Sequence, residues 1–128
     1  MRQLEQVYHL ENRVFIVLKN LGDFPVQAIT FSSYESDNMI NGTLRGEGIS
    51  SGRFLGRFVA IDQIEFFFQW LDSSSLLVVS GRLWGFICGN PSEKLQMFLN
   101  WYCMRGKKGF GALCCTELKD YAGQHESK

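Results

Sequence analysis

The residues of this sequence that could contact a ligand are polar and aromatic side chains that alternate in its second half. Alternate residues of a β-strand share a face. If residues 64–71 form a strand, Glu65, Phe67 and Gln69 therefore lie on the same face. The same spacing recurs in three later runs: Ser80, Arg82 and Trp84; Gln96, Phe98, Asn100 and Tyr102; and Cys115 with Glu117. These mixed faces could supply both hydrogen bonds and ring contacts to a small molecule.

The mixed faces have two interpretations. Eight strands can close into a barrel that encloses one small ligand, and mixed faces that point inwards would line its cavity. In that case the candidate ligand contacts are Gln69, Arg82, Asn100, Trp101 and Glu117. In the alternative, the mixed face is the solvated outside of the protein. Arg82 would then form exposed ion pairs with Glu65 or Glu117, which contribute little stability.

Two classes of function follow from these interpretations. The first is a small soluble barrel that binds a small molecule in its interior. The second is a non-catalytic interaction module or homodimer, in which exposed aromatic residues such as Trp84 and Tyr102 pack against a partner. A cavity lined by the polar candidates would favour the first class, and a filled apolar interior with an exposed aromatic patch would favour the second.

The sequence does not predict catalysis. Its two histidines, His9 and His125, lie near the termini, away from any strand that could carry a nucleophile. No phosphate-binding loop or dinucleotide fingerprint is present. The four cysteines have no metal-binding spacing and are expected to be reduced and to bind no metal: Cys88, Cys103, Cys114 and Cys115. We therefore expect no cofactor and no catalytic residue.

The charge balance indicates which partners to expect. Lys and Arg together number 13, as do Asp and Glu, so the formal net charge is zero. Such a chain has no electrostatic footprint for nucleic acid or for an acidic membrane surface. No apolar run approaches the roughly 20 residues that a membrane-spanning helix needs. The first ten residues lack the long apolar core of a signal peptide, so we expect a soluble, cytoplasmic protein.

Eight extended runs must position the candidate residues. They are separated by short turns rich in Gly, Ser, Asp and Asn, and no long helical period interrupts them. A chain of 128 residues is of the size of one domain. The predicted strands are residues 14–18, 26–34, 39–45, 53–61, 64–71, 76–88, 94–104 and 109–118.

Short turns make sequential strands antiparallel neighbours, so the expected fold class is all-β, an eight-strand antiparallel meander. Closure into a small up-and-down β-barrel, of lipocalin- or avidin-like architecture, would remove both free edges. Glycines at positions 52, 56, 81 and 85 stand where strongly curved strands would need them. A two-sheet sandwich is the competing architecture. The barrel is expected over residues 10–118, between an N-terminal segment, 1–9, and a polar tail, 119–128.

A series of short motifs runs through the same region. In order, they are Ile40, Gly42, Gly46, Gly48, Ile49 and Gly52; Leu55-Gly56; Ile64, Phe66, Phe68 and Gln69; Ser80-Gly81-Arg82; Trp101; and Glu117-Leu118. Their order resembles a family of small, mostly bacterial proteins that often carry the name N-acetylglutamate synthase. The chain departs from that family in its short first hairpin and at Leu99, where a second Trp is expected. The resemblance implies one compact, mostly-β domain and transfers no catalytic residue.

The synthase name can be compared with the residues. Acetyltransferases of the usual type hold the pyrophosphate of coenzyme A in a glycine-rich loop that opens a helix. The nearest candidate, residues 106–111, has Gly106 where Gln or Arg should stand, and a predicted strand follows it. We therefore interpret this loop as a basic hairpin turn, and acetyl transfer is the least favoured function.

Overall fold

The computed structural model describes residues 8–32, 39–106 and 108–118. The predicted polar tail and most of the predicted N-terminal segment lie outside these residues, as does the turn predicted at 35–38. Eight strands are present: β1 Val14–Leu21, β2 Val26–Phe31, β3 Met39–Gly46, β4 Ile49–Ala60, β5 Gln63–Asp72, β6 Val78–Gly89, β7 Leu95–Arg105 and β8 Gly109–Glu117.

The largest difference from the predicted bounds is at β4, which begins at Ile49 rather than at residue 53. Residues 50–52, which fall between two predicted strands, lie inside β4. The pairing with β5 shifts register between Ser50 and Arg53, and Ser51 adopts a positive φ of 54°. A β-bulge of this kind bends a strand without ending it.

Each strand pairs antiparallel with the next, and β1 also pairs with β8, so the sheet closes into a barrel. The predicted all-β fold class and the up-and-down barrel are confirmed, and the sandwich is excluded. Closure leaves no free sheet edge among the described strands.

The barrel interior is filled by apolar side chains. Buried and exposed residues alternate strictly along much of β4 to β7, as expected when one face of each strand points into a core. Inward-facing glycines make room for the rings. A Cβ on Gly81 would lie 2.6 Å from the Phe68 ring and 2.0 Å from the Tyr102 carbonyl oxygen, so only glycine fits there. The largest fully buried side chains include Phe15, Phe31, Phe66, Ile29, Ile40, Ile64, Leu83 and Met97.

We call the end of the barrel where β1 begins the closed end. Residues 8–13 cross it, and Leu10 is completely buried. The Arg13 guanidinium donates to both carboxylate oxygens of Glu117, at 2.8 and 2.9 Å, and to the carbonyl oxygen of Pro91 at 3.0 Å. Glu117 also accepts a hydrogen bond from the Leu95 N–H at 3.1 Å. These contacts seal the closed end.

The opposite end, which we call the open end, is bordered by the loops that follow β1, β3, β5 and β7. The loop after β5 is ordered by the Asp72 carboxylate. It accepts hydrogen bonds from the Ser74 hydroxyl at 3.0 Å, and from the Ser75 N–H and hydroxyl at 2.9 and 2.7 Å. Among the described residues, no helix is long and apolar enough to cross a membrane.

Candidate functional site

The mixed faces of β5, β6 and β7 lie on the outside of the barrel. Phe67, Phe98 and Tyr102 are each about half exposed, whereas Phe66, Phe68 and Trp101 are buried. For these three strands the structure therefore selects the solvated-outside interpretation over an inward polar cavity. On β8 the assignment is reversed, because Cys115 and Glu117 point inwards and are buried.

The five predicted ligand contacts are divided between three places and do not form one cluster. Gln69, Arg82 and Asn100 lie on the outer face. Trp101 and Glu117 lie on the inner face, but at different ends: Trp101 lines a cavity at the open end, and Glu117 belongs to the closed end. The parity of β7 places Trp101 opposite its neighbour Asn100.

Arg82 forms one of the predicted exposed ion pairs. Its Nε lies 3.3 Å from the Glu65 carboxylate, and its guanidinium lies 4.4 Å from the centre of the Trp84 ring. Arg57 also approaches Glu65, at 3.7 Å. Arg82, Trp84 and Asn100 border a shallow outer groove. Because both Arg side chains are exposed and Glu65 is only partly buried, we expect the pairs to contribute about 1 kcal/mol or less each to stability.

A larger cavity, of about 810 Å³, opens at the open end of the barrel. We call it the mouth cavity. Its strand-borne wall is apolar and includes Trp70, Val79, Trp101 and Cys103. The loops around it contribute charged and hydroxyl groups: Asp23, Glu47, Asp72, Ser74, Ser75 and Lys108.

Each tryptophan in the wall of the mouth cavity stacks on a buried Phe ring. The Phe24 ring, from the loop after β1, stacks on Trp101 with ring centres 4.6 Å apart and planes at 15°. Phe68 stacks on Trp70 at 5.1 Å and 15°. Phe24 links the two pairs, since its ring centre lies 5.3 Å from that of Phe68 and 5.6 Å from that of Trp70.

Glycines determine where the Trp101 indole lies. A Cβ on Gly111 would be 2.7 Å from the indole nitrogen, and a Cβ on Gly22 would be 2.6 Å from the ring edge. Gly22 also has a φ of +105°, a conformation that glycine adopts without strain. The indole therefore fits against bare backbone on β8 and on the loop after β1.

The Trp101 indole N–H is a buried donor whose hydrogen-bonding capacity is not used. The side chain is only 4% exposed, and its Nε1 has no hydrogen-bond acceptor among the described residues. A buried donor without a partner typically costs about 1–3 kcal/mol. An acceptor placed beside this edge of the ring would remove that cost.

The thiols show no sign of activation. The described cysteines are free, and Cys114 and Cys115 lie on opposite faces of β8, as their adjacency predicts. Burial, with a smaller contribution from Cys114, raises the pKa of the Cys115 thiol to about 12. Cys115 therefore remains protonated near neutral pH. Among the described residues, no group of three or more His, Cys, Asp or Glu side chains is placed to hold a metal ion.

Sequence reasoning missed most of the mouth cavity. Trp70 falls on the face of the predicted strand opposite to Gln69, and residues 22–25 fall between two predicted strands. The alternation of β5 does place Trp70 on the same face as Phe68, which is the one signal available. Nothing in the sequence indicates that Phe24 packs against β5 and β7, because that contact joins distant segments.

Comparison with known protein families identifies a relationship that covers most of the chain. A family model described as Avidin-like protein matches residues 8–118. No match is found among curated proteins or among solved structures. The resemblance to the family named N-acetylglutamate synthase is therefore wrong. Consistent with this, β7 ends at Arg105, and the element that begins at Gly109 is the strand β8 rather than a helix.

Proposed function

We propose that this chain, which belongs to the avidin-like family, binds a small molecule in the mouth cavity. The proposal depends on one observation: the mouth cavity has two tryptophans in its wall. It lies at the open end of the barrel, opposite to the end that residues 8–13 cross. Its volume of about 810 Å³ falls within the range of small-molecule sites, which is about 300–1,000 Å³.

The lining residues assign roles to parts of a ligand. Trp70 and Trp101 would contact its apolar body, because large rings contribute apolar contact area at little entropic cost. Asp23 and Glu47 border the entrance and would contact a polar or cationic end. The hydroxyls of Ser74 and Ser75 already donate to Asp72, so that loop is ordered before a ligand arrives.

Of the five residues predicted as ligand contacts, Trp101 is the one that we retain for this site. Glu117 acts at the closed end, where its carboxylate is already bound to Arg13. Gln69, Arg82 and Asn100 lie on the outer face, and we propose that they take part in self-association instead.

Tryptophan fluorescence tests the binding site directly. Avidin-like barrels bind small ligands such as biotin, so biotin and any molecule released from protein purified without refolding are the first probes. Binding should change the emission of the wild type, and Trp101→Phe should weaken binding about tenfold through the loss of a large ring contact. Trp84→Phe is the matched control, because Trp84 lies on the outer face. Equal losses in both variants would count against the mouth cavity.

Self-association through the outer face is a second candidate function. Large hydrophobic side chains are exposed along neighbouring strands there: Leu55, Phe67, Phe86, Phe98, Tyr102 and Met104. Register arranges them in two groups: Leu55 pairs with Phe67, which lies across Arg82 from Tyr102, and Phe86 pairs with Phe98. Exposed aromatic and Arg side chains together are typical of interface cores. Avidin-like barrels also often oligomerise.

Light scattering tests this second function. We expect wild-type protein to have the mass of a dimer or larger assembly, and Phe98→Glu to have that of a monomer. Leu18→Glu is the control, because Leu18 is exposed on β1, away from this face. A monomeric wild type at micromolar concentration would refute self-association.

The free cysteines support a cytoplasmic location, where thiols stay reduced.

A further inference from the structure

We propose that Phe24 is an internal stand-in for the ligand, and that a planar aromatic or heteroaromatic molecule binds by displacing it from Trp101. This inference rests on the proposed function, because it names the ligand class of the mouth cavity. It also assigns a moving part to that site, the loop of residues 22–25, which we call the plug loop.

The origin of Phe24 distinguishes it from the rest of the core. Its side chain is only 3% exposed, although it comes from a loop. Every other buried aromatic ring in the described residues comes from a strand. Its three ring partners, Phe68, Trp70 and Trp101, lie on β5 and β7. Phe24 thus occupies a space between Phe68, Trp70 and Trp101, which we call the aromatic box. All three of these rings belong to the strands of the barrel.

The plug loop is not held by pairing between the two strands that it joins, although its neighbours Leu21 and Val26 pair with β8 and β3. β1 pairs with β2 at only three positions, Val14 to Ile16, all near the closed end. Towards the open end a second cavity, of about 320 Å³, lies between the two strands and is lined by Phe24, Leu18 and Val26. The side chain of Asn20 holds the loop by donating a hydrogen bond to the Phe24 carbonyl oxygen.

The plug loop also separates two spaces. Gly22 and Asp23 line the mouth cavity, Phe24 lines the cavity between β1 and β2, and Pro25 lines both. Withdrawal of the Phe24 ring would therefore extend the mouth cavity into the barrel between Trp101 and Phe68. Gly22, at a φ of +105°, is a position at which the loop could change direction without a Cβ clash.

The geometry of the aromatic box selects a flat ring. The Phe24 plane lies at 15° to the Trp101 plane. If Phe24 withdrew, the face of the indole that it now covers would be a stacking surface. Phe68 and Trp70 meet the same ring at 69° and 60°, and their edges would close around a second planar group.

Quinoline, a planar aromatic ring system, is a suitable probe. Phe24→Ala removes the competing ring, and we expect it to bind quinoline at least tenfold more tightly than the wild type, as measured by calorimetry. The gain should disappear in Phe24→Ala combined with Trp101→Leu. Naphthalene, which has the same shape, should gain by a similar factor. Phe31→Ala is the matched control, because Phe31 is a buried strand residue whose ring neighbours are Phe15, Phe54 and Phe66.

A second variant keeps the test decisive if Phe24→Ala does not fold. Asn20→Ala releases the plug loop while leaving the core intact, and it should tighten quinoline binding about threefold. The inference is overturned if the folded variants bind quinoline no more tightly than the wild type, or if Phe31→Ala gains as much. If instead the wild type binds biotin or a co-purified molecule in a Trp101-dependent way while Phe24→Ala gains nothing, the proposed function stands and the plug is refuted.

Discussion

The contact between Arg13 and Glu117 gives the sharpest prediction about stability. Glu117→Ala removes both charge-assisted bonds and leaves the Leu95 N–H without its acceptor. Removing one partner of a buried ion pair typically costs about 3–5 kcal/mol. The Arg13 side chain is 19% exposed and, in the variant, keeps its hydrogen bonds to the carbonyl oxygens of His9 and Pro91. We therefore expect the free energy of unfolding to fall by about 2–3 kcal/mol.

Urea denaturation followed by tryptophan fluorescence measures this loss. The midpoint should fall while the slope of the transition stays constant, since the exposed surface changes little. Glu117→Gln keeps an acceptor for Leu95 and should cost about half as much. The double variant Arg13→Met, Glu117→Met should be more stable than Glu117→Ala, because it buries no unpaired charge. The control is Arg57→Ala, which breaks an exposed pair and should cost less than about 1 kcal/mol. A loss below about 0.5 kcal/mol in Glu117→Ala would refute the account of the closed end.

Three further predictions concern the reactivity of the thiols, the pH dependence of stability and an inward glycine. Ellman's reagent at pH 8 should label exposed Cys88 quickly and Cys115 only after unfolding, as read by peptide mass mapping; equal labelling rates would contradict the burial of Cys115. Because the pKa of Cys115 is raised from 9.0 to about 12 on folding, the stability that this thiol contributes is complete below pH 9 and is lost as the pH rises towards 12. Gly81→Ala should lower the free energy of unfolding by at least about 1–3 kcal/mol, because its Cβ would overlap the Tyr102 carbonyl oxygen, 2.0 Å away. Gly48→Ala is the control, because the nearest atom to its Cβ would be 3.7 Å away and only backbone strain should lower its stability. A smaller loss of stability in Gly81→Ala than in Gly48→Ala would refute this packing argument.

The strands were predictable because their local signals agree. Alternation, short turns and glycine spacing all favour eight strands, and closure follows from the need to remove two edges. Which face points inwards was not predictable from alternation alone. Both faces of β5 carry rings, with Phe66 and Phe68 on one and Phe67 on the other, so hydrophobicity does not distinguish them.

The site was less predictable because it depends on contacts between distant segments. Glu117 is a charged residue on an inward face, and it is tolerated there because Arg13, 104 positions away, reaches it. The open end is formed by four loops whose arrangement no local pattern encodes. The sequence motifs that resemble the synthase family contain glycines that allow close packing inside the barrel. Gly81, which lies against the Phe68 ring, is an example.

A crystal structure of protein purified without refolding is the most direct test of the central claim. The account predicts a small molecule in the mouth cavity, with a planar group against Trp101 and the Phe24 ring withdrawn. A molecule bound instead in the outer groove beside Arg82 and Asn100, with only ordered water in the mouth cavity, would contradict it.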